Sequence, residues 1–359
     1  MLTVGIIGTR GIPNTHGGFE RFVELLVDDA RWASNDVRFR VYGEGVDARH
    51  NEWTDLRSVG CTKKARPFWY YFRSAYLAAQ ECDVILCCGV ALSIFAFWPG
   101  FKGKALIVNP DGCEWRRTKW SRLGRMIVWA MYAPAMVAAK RIVIDAEALR
   151  SDFGLGPEAW YIPYAAPEPS HFALSPSTRE AYTLDRPYAL VVARLEPENN
   201  IGMIIDAFTD LDDDASDLVV VGGATTPYFQ TTLAAKARKN VRFVGAIYQQ
   251  EILDEVRSNA TVYLHGHSVG GTNPSLLEAL ATVTGAIFCH DNKYNREVAG
   301  AEAEYFASQE QLTHLLRRRL DGEDGAVPAR RNPSRDTRFH PDTIYDGYKE
   351  LFRDAHAAR

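Results

Sequence analysis

His265-Gly-His-Ser-Val-Gly-Gly-Thr-Asn-Pro-Ser-Leu-Leu-Glu278-Ala-Leu-Ala281 is the stretch from which the fold of this chain can be worked out. It begins where a short apolar run, residues 261–265, ends. Gly270 and Gly271 let the backbone come close to a ligand. Asn273 suits the N-cap of a helix, and Pro274 suits its first turn, where a missing N–H costs nothing. Thr272 lies between the glycines and the cap. Strand, glycine turn and helix start in this order make an anion site from exposed amides and the helix dipole. Glu278 falls one turn inside the helix, where a carboxylate can accept hydroxyl hydrogen bonds. The combination points to a nucleotide or nucleotide-sugar site; the plainer alternative is an ordinary βα turn with a surface glutamate.

The chain of 359 residues is long enough for two domains. It is 47% hydrophobic and 24% charged, which suits two well-built cores. A net charge of −4 argues against a nucleic-acid partner. Cysteines stand at 61, 82, 87, 88, 113 and 289 without a CxxC pair. They read as buried reduced thiols of a cytoplasmic protein, not as a metal site. The N-terminus runs straight into a strand, so no signal peptide is expected. Two apolar runs, 84–98 and 126–139, fall short of the ~20 residues a membrane span needs.

Outward from the quoted stretch, strands and helices alternate along the whole chain. Strand-like runs fall at 4–7, 37–42, 84–88, 105–108 and 141–144, with helices between them such as 19–31 and 121–139. A proline-rich, non-periodic segment at 161–169 reads as a linker. The pattern then restarts, with strands at 188–193, 218–221, 241–244, 261–265 and 286–289. Helices are expected near 201–211, 228–239, 249–258 and 275–283. Segment 321–337 reads as an exposed loop, and a last helix covers about 343–356. The division is therefore 1–165 for a first Rossmann-like domain and 170–340 for a second. Residues 341–359 form a closing helix expected to pack back on the first. Two doubly wound α/β domains are expected to face a cleft at the C-terminal edges of their sheets.

Several residues at those edges can carry chemistry. The first βα turn contains Arg10, Gly17 and Gly18. Its glycines do not follow the dinucleotide spacing, and loops this long are uncommon without a role. Arg194 follows a strand, in Arg194-Leu-Glu-Pro-Glu-Asn-Asn200, where a guanidinium fork matches a diphosphate. The alternative is a surface arginine paired with Glu196 or Glu198. Asp111 follows another strand and is either a sugar contact or an Asp-Gly turn. Glu297 is expected at a helix start or facing the cleft. His16, His265 and His267 lack metal-ligand spacing and read as site-wall residues. Trp115, Arg116, Arg117, Lys119, Trp120, Arg122 and Arg125, and the similar mix at 66–73, suit either a membrane interface or a solvated helix end.

Taken together, four runs resemble the retaining GT-B glycosyltransferases of family four over essentially the whole chain, and within them the rhamnosyltransferase-type enzymes of bacterial surface polysaccharide assembly. They are the run from Ile6 to Glu20, Asp111-Gly-Cys-Glu-Trp115, Val192-Ala-Arg-Leu-Glu-Pro-Glu-Asn-Asn200, and Gly266 to Glu278. The resemblance implies two Rossmann-like domains, with donor binding in the second and acceptor binding in the first. It implies that Arg194 contacts the donor diphosphate and Glu278 the nucleotide ribose. The chain departs from the broad family twice. Asn199 stands where a lysine is usual, and Gly270 where the first glutamate of a paired-glutamate motif is usual. Both departures occur within the rhamnosyltransferase-type group.

The same resemblance implies a retaining, metal-independent hexosyltransferase that needs no cofactor beyond its nucleotide-sugar donor. Arg194 and Asp111 are its expected catalytic residues. Gly270, Gly271, Thr272, Asn273, Glu278, Asn199 and His267 are its expected donor contacts. The expected donor is dTDP-rhamnose, and the expected acceptor a saccharide, lipid-linked, reached by a cytoplasmic protein peripheral to the membrane. Two rivals are a nucleotide-sugar epimerase of the same architecture and a non-catalytic scaffold that keeps the fold. Oligomeric state stays open.

Overall fold

The computed structural model of the chain describes residues 1–13, 18–89, 101, 103–117, 120–212, 215–224, 226–322 and 333–358. Among the features expected from sequence, His16, Gly17, Lys119 and parts of segments 84–98 and 321–337 lie outside the described residues. The chain divides into two compact units. One comprises residues 1–116, 120–164 and 341–359; the other comprises 117–119 and 165–340.

The first unit is built in the order β1 (Leu2–Ile7), α1 (Gly18–Asp28), β2 (Val37–Gly43), β3 (Ala48–Asn51), β4 (Thr54–Ser58), α2 (Pro67–Glu81), β5 (Val84–Cys88), β6 (Ala105–Asn109), α3 (Arg122–Ala138), β7 (Arg141–Ile144), α4 (Ala148–Phe153) and β8 (Trp160–Tyr161). Its sheet runs β3-β4-β2-β1-β5-β6-β7-β8. All pairs are parallel except β3 with β4. Every residue of β5 and β6 is buried, as expected of central parallel strands covered on both faces. The helix expected over 19–31 ends at Asp28. The next residue, Asp29, caps a separate 3₁₀ turn, Ala30–Ser34, by accepting from the Arg31 amide at 2.9 Å. Strands β3 and β4 have no counterpart in the sequence reading, because their residues are polar and only partly buried.

The C-terminal helix, Pro341–Ala357, belongs to this first unit. Its inner face is aromatic. The Tyr345 ring lies 4.6 Å from that of Trp32, Tyr348 lies 5.4 Å from Phe22, and Phe352 lies 6.0 Å from Phe39. A bidentate contact from Arg141 to Asp354 ties the helix to β7.

The second unit continues with α5 (Pro176–Tyr182), β9 (Tyr188–Val192), α6 (Ile201–Thr209), β10 (Asp217–Val221), β11 (Val241–Gly245), α7 (Gln250–Ser258), β12 (Val262–His265), α8 (Pro274–Thr282), β13 (Ala286–His290), α9 (Lys293–Ala299), β14 (Glu304–Phe306) and α10 (Gln309–Leu320). Its sheet is parallel throughout, in the order β11-β10-β9-β12-β13-β14. The helix expected near 228–239 is only a π-turn, Phe229–Leu233, followed by a 3₁₀ turn, Ala234–Lys236. The core joins Ile204, Ile205 and Phe208 of α6 to Val191, Val220 and Leu264 of the sheet and to Leu312 and Leu316 of α10. The strand order reverses between β9 and β12. Open α/β sheets bind their ligands outside the C-terminal ends of the strands at such a reversal.

Candidate functional site

Both segments that leave this reversal point carry motifs visible in the sequence. Beyond β9 the chain passes Arg194, makes a 3₁₀ turn over Pro197–Asn199 and enters α6. Beyond β12 it passes through Gly266 to Thr272 and enters α8. There Asn273 caps the helix, its Oδ1 accepting from the Ser275 amide at 2.9 Å. The two segments are stitched together by polar bonds. Asn200 Nδ2 donates to Gly266 O at 2.8 Å, and the Ser268 amide and hydroxyl both donate to Glu198 O, at 3.0 and 2.8 Å. Gly266 has to be glycine, since a Cβ there would come within 2.1 Å of the Asn199 carbonyl oxygen.

A third segment joins from the C-terminal end of β13. Asn292 and Asn295 each donate from Nδ2 to the His267 carbonyl at 2.9 Å. Asn292 also caps α9, accepting from the amides of Tyr294 and Asn295. Neither asparagine is among the residues expected from sequence, although Asn292 precedes a helix with the spacing of a cap. Glu297 lies in the body of α9, not at its start.

Asn199 and His267 form the centre of the arrangement. Asn199 Nδ2 donates to Arg194 O at 2.7 Å, and its Oδ1 lies 2.8 Å from His267 Nδ1. With the amide nitrogen committed to a carbonyl, Oδ1 can only accept, so His267 carries its proton on Nδ1. Its Nε2 is therefore an acceptor. Gly270, at φ +133°, leaves the space before that nitrogen open; a Cβ there would sit 3.1 Å from Nε2. Burial first, then His265, Arg117 and Arg194, hold the His267 pKa well below the ordinary imidazole range. Both ends of the Asn199 amide are used within the protein, which makes Asn199 a positioning residue.

Arg194 is an exposed residue. Among the described residues no acidic side chain pairs with it, so the alternative pairing with Glu196 or Glu198 does not occur. Glu198 is buried and takes Arg117 instead, at 3.3 Å. Glu278 is placed on α8 with Oε2 2.5 Å from Nη2 of Arg257. Arg257 is fully buried and also meets Asp254 at 3.3 Å. Nothing local marks Arg257, which reads as an ordinary charged residue near a helix end. Gly271 and Thr272 are buried beside this helix start.

In the first unit, Asp111 follows β6 in a left-handed conformation, φ 63°, its amide donating to Asn109 Oδ1 at 3.0 Å. Aspartate is among the few non-glycine residues that adopt this conformation readily, so it suits a turn as well as a site. The Arg10 amide donates to Glu20 Oε1 at 2.9 Å, and its side chain lies 3.8 Å from Glu44. Gly18 begins α1. The basic-aromatic cluster is reassigned in part. Arg116 pairs with buried Asp152 at 2.8 Å, Arg117 with Glu198, and Trp115 packs edge-on against Tyr132 and Phe153. These three are structural residues. Among the described residues no group of three or more His, Cys, Asp or Glu side chains could hold a metal ion.

Residues 177–333 match the family model described as glycosyl transferases group 1. The matched segment lies within the second unit. No curated protein sequence matches the chain. Among solved structures it is similar to a sucrose-phosphate synthase from Thermosynechococcus elongatus, at TM-score 0.77 and 15% identity, covering 100% of both chains. It is similar to HepE of Anabaena in complex with UDP-glucose, at TM-score 0.75 and 15% identity, covering 99% of this chain and 100% of that one. A trehalose 6-phosphate synthase from Burkholderia multivorans gives 0.72 and 13%, with 99% of each covered. The architecture is thus of GT-B type, two Rossmann-like α/β domains.

Two predictions concern the stability of this site. Burial pushes His265 down to about 3, so the native state stays unprotonated while the unfolded chain takes up a proton below about 6.5. Stability from this residue is fully present above the unfolded pKa and is lost as pH falls from there toward the folded one. The expected loss is roughly 1.4 kcal/mol per pH unit in that window. His265→Leu should flatten that slope in urea unfolding series, and an unchanged slope would dismiss the assignment. Glu278→Gln should lower stability by about 1.5 kcal/mol, the scale of one hydrogen bond to a charged group, since Asp254 still meets Arg257. Unfolding midpoints equal to wild type would show that Arg257 does not need this carboxylate.

Proposed function

We propose that this chain transfers a hexose, with retention, from a nucleotide-sugar donor to a saccharide acceptor. The reading rests on one observation above all. An exposed arginine without an acidic partner among the described residues stands at the reversal point of the second sheet, within the segment that matches the group 1 glycosyl transferases. Beside it are the glycine turn and N-terminus of α8. In this reading Arg194 and the amides of residues 271–273 hold the donor diphosphate. Fixed donors aimed at charge that develops on the leaving group supply most of the catalysis in such a reaction. Glu278 takes the ribose hydroxyls; a carboxylate has about four lone-pair sites, so one contact with Arg257 leaves acceptor capacity.

The sugar–diphosphate bond breaks as the acceptor oxygen bonds to the same face of the anomeric carbon. The proton of that hydroxyl passes to the departing diphosphate oxygen, so no carboxylate nucleophile and no metal are required. Asp111, with Arg10, Gly17 and Gly18, contacts the acceptor. His267 Nε2 is the acceptor offered to a sugar hydroxyl where Gly270 supplies no side chain. One neutral acceptor in that place suits a 6-deoxyhexose, and the donor is proposed as dTDP-rhamnose. The acceptor is proposed as a lipid-linked saccharide of surface polysaccharide assembly, met by a cytoplasmic enzyme peripheral to the membrane.

A panel of nucleotide sugars, scored by nucleoside diphosphate release with a lipid-linked acceptor, tests the reading. Preference for UDP-glucose or GDP-mannose over dTDP-rhamnose would refute the donor. Arg194→Ala should lower transfer by about two orders of magnitude, the scale of losing one donor to developing charge. Arg194→Lys should restore only part of it, because the fork is lost. Near wild-type turnover in a folded Arg194→Ala protein would refute the role. His267→Phe should weaken nucleotide-sugar binding about tenfold, the cost of one hydrogen bond of about 1.5 kcal/mol. Its affinity for the free nucleoside diphosphate should not change. Equal losses for both ligands would make His267 a structural residue only.

A further inference from the structure

Helix α3 has two apolar faces. Val128, Tyr132 and Ala135 are buried against the first unit. On the opposite side Leu123 is 66% exposed, Met126 68%, Ile127 54% and Val137 73%, with Trp129 on the flank at 60%. Positions 123, 126, 127 and 137 fall on one side of a helix of 3.6 residues per turn. Single exposed apolar residues are ordinary, but five of the 13 large exposed hydrophobics among the described residues lie on this one helix. The helix is 17 residues long, has Pro134 inside and is anchored by its buried face, so it lies along a surface and does not cross one. No described helix is long and apolar enough to cross a membrane.

The charges carried by this stretch of chain have one sign. From Trp115 through Ile144 the chain contains no acidic residue. Arg116 and Arg117 are used in ion pairs, but Arg122 and Arg125 are exposed beside Trp129, and among the described residues neither meets a carboxylate. A second copy of the chain docked through the same face would bring two basic margins into one interface, since a two-fold interface uses the same patch on both copies. An anionic bilayer meets it with the opposite charge, accepts the aliphatic residues into its boundary and seats a tryptophan at headgroup level.

We propose that the outward face of α3 is a docking surface for an anionic lipid bilayer. The docking rests on the reading of a transferase peripheral to the membrane and names its surface, yet it can be measured without the transfer reaction. The probe is sedimentation of the full chain with vesicles of phosphatidylcholine mixed with phosphatidylglycerol, against vesicles of phosphatidylcholine alone. Wild type should bind the mixed vesicles and release as salt rises. Arg122→Gln with Arg125→Gln should weaken binding about 25-fold, roughly fivefold for each basic residue. Met126→Gln with Ile127→Gln and Trp129→Gln should weaken it at least about tenfold. All five positions are exposed, so the variants should fold, and circular dichroism checks this. Equal binding to both vesicle types, or no effect of the apolar variant, would overturn the proposal. So would a dimer in light scattering that the apolar variant dissociates, since the face would then belong to a second copy.

Discussion

The carboxamide of Asn199 holds together the two loops that leave the reversal point of the second sheet. An amide has one donating and one accepting end, and here each has a fixed partner: the Arg194 carbonyl and the His267 ring. This places the backbone that carries Arg194, and it also decides which imidazole nitrogen bears the proton. The family resemblance expects lysine at 199. An ammonium has only donors, so it could not accept from Nδ1, and His267 would have to change tautomer. Asn199, His267 and Gly270 therefore make sense as a set. The amide fixes the ring, the ring presents Nε2, and the glycine keeps the space before Nε2 clear.

Charge is distributed with the same economy. Arg117 is closed by Glu198, and Arg257 by Glu278 and Asp254. His265, His267 and His290 are all held below the ordinary imidazole range, so they add no positive charge at neutral pH. Arg194 is left as an open cation at the sheet edge, beside the positive end of α8. A chain with a net charge of −4 thus presents a local positive field at this edge of the sheet. The buried pairs do not add to this field. They keep the strands and helix starts at fixed positions around it.

Much of this was legible in the sequence, for identifiable reasons. The central strands are continuous apolar runs, the junction at residues 266–274 combines glycine, cap and proline, and the junction at 194 sets an arginine where a strand runs out. What was not legible depended on partners distant in sequence. Arg257 is 21 positions from Glu278 in the chain, and nothing local reveals that the two meet. The same is true of Arg117 and Glu198. Strands β3 and β4 are too polar to announce themselves, and residues 228–239 have helical propensity yet form only two short turns. Asp111 was readable as a turn or as a site residue, and its left-handed backbone is compatible with both.

The cluster from Trp115 to Arg125 shows why composition alone misplaces a surface. Its residues look alike in sequence but divide in space. Arg116 and Arg117 close buried ion pairs, whereas Arg122 and Arg125 stand on the open flank of α3. Period analysis is no better guide for the helix that follows them, because residues 126–139 are apolar on every side. A helix apolar all round is either sunk in a core or has one face intended for something outside its own domain. Burial decides between these. Val128, Tyr132 and Ala135 account for one side, and the exposure of Leu123, Met126, Ile127 and Val137 leaves the other side to be explained by its surroundings. Hydrophobic surface that the fold could have covered, bordered by cations that the fold could have paired, is most simply understood as facing a medium that is apolar inside and negative at its edge.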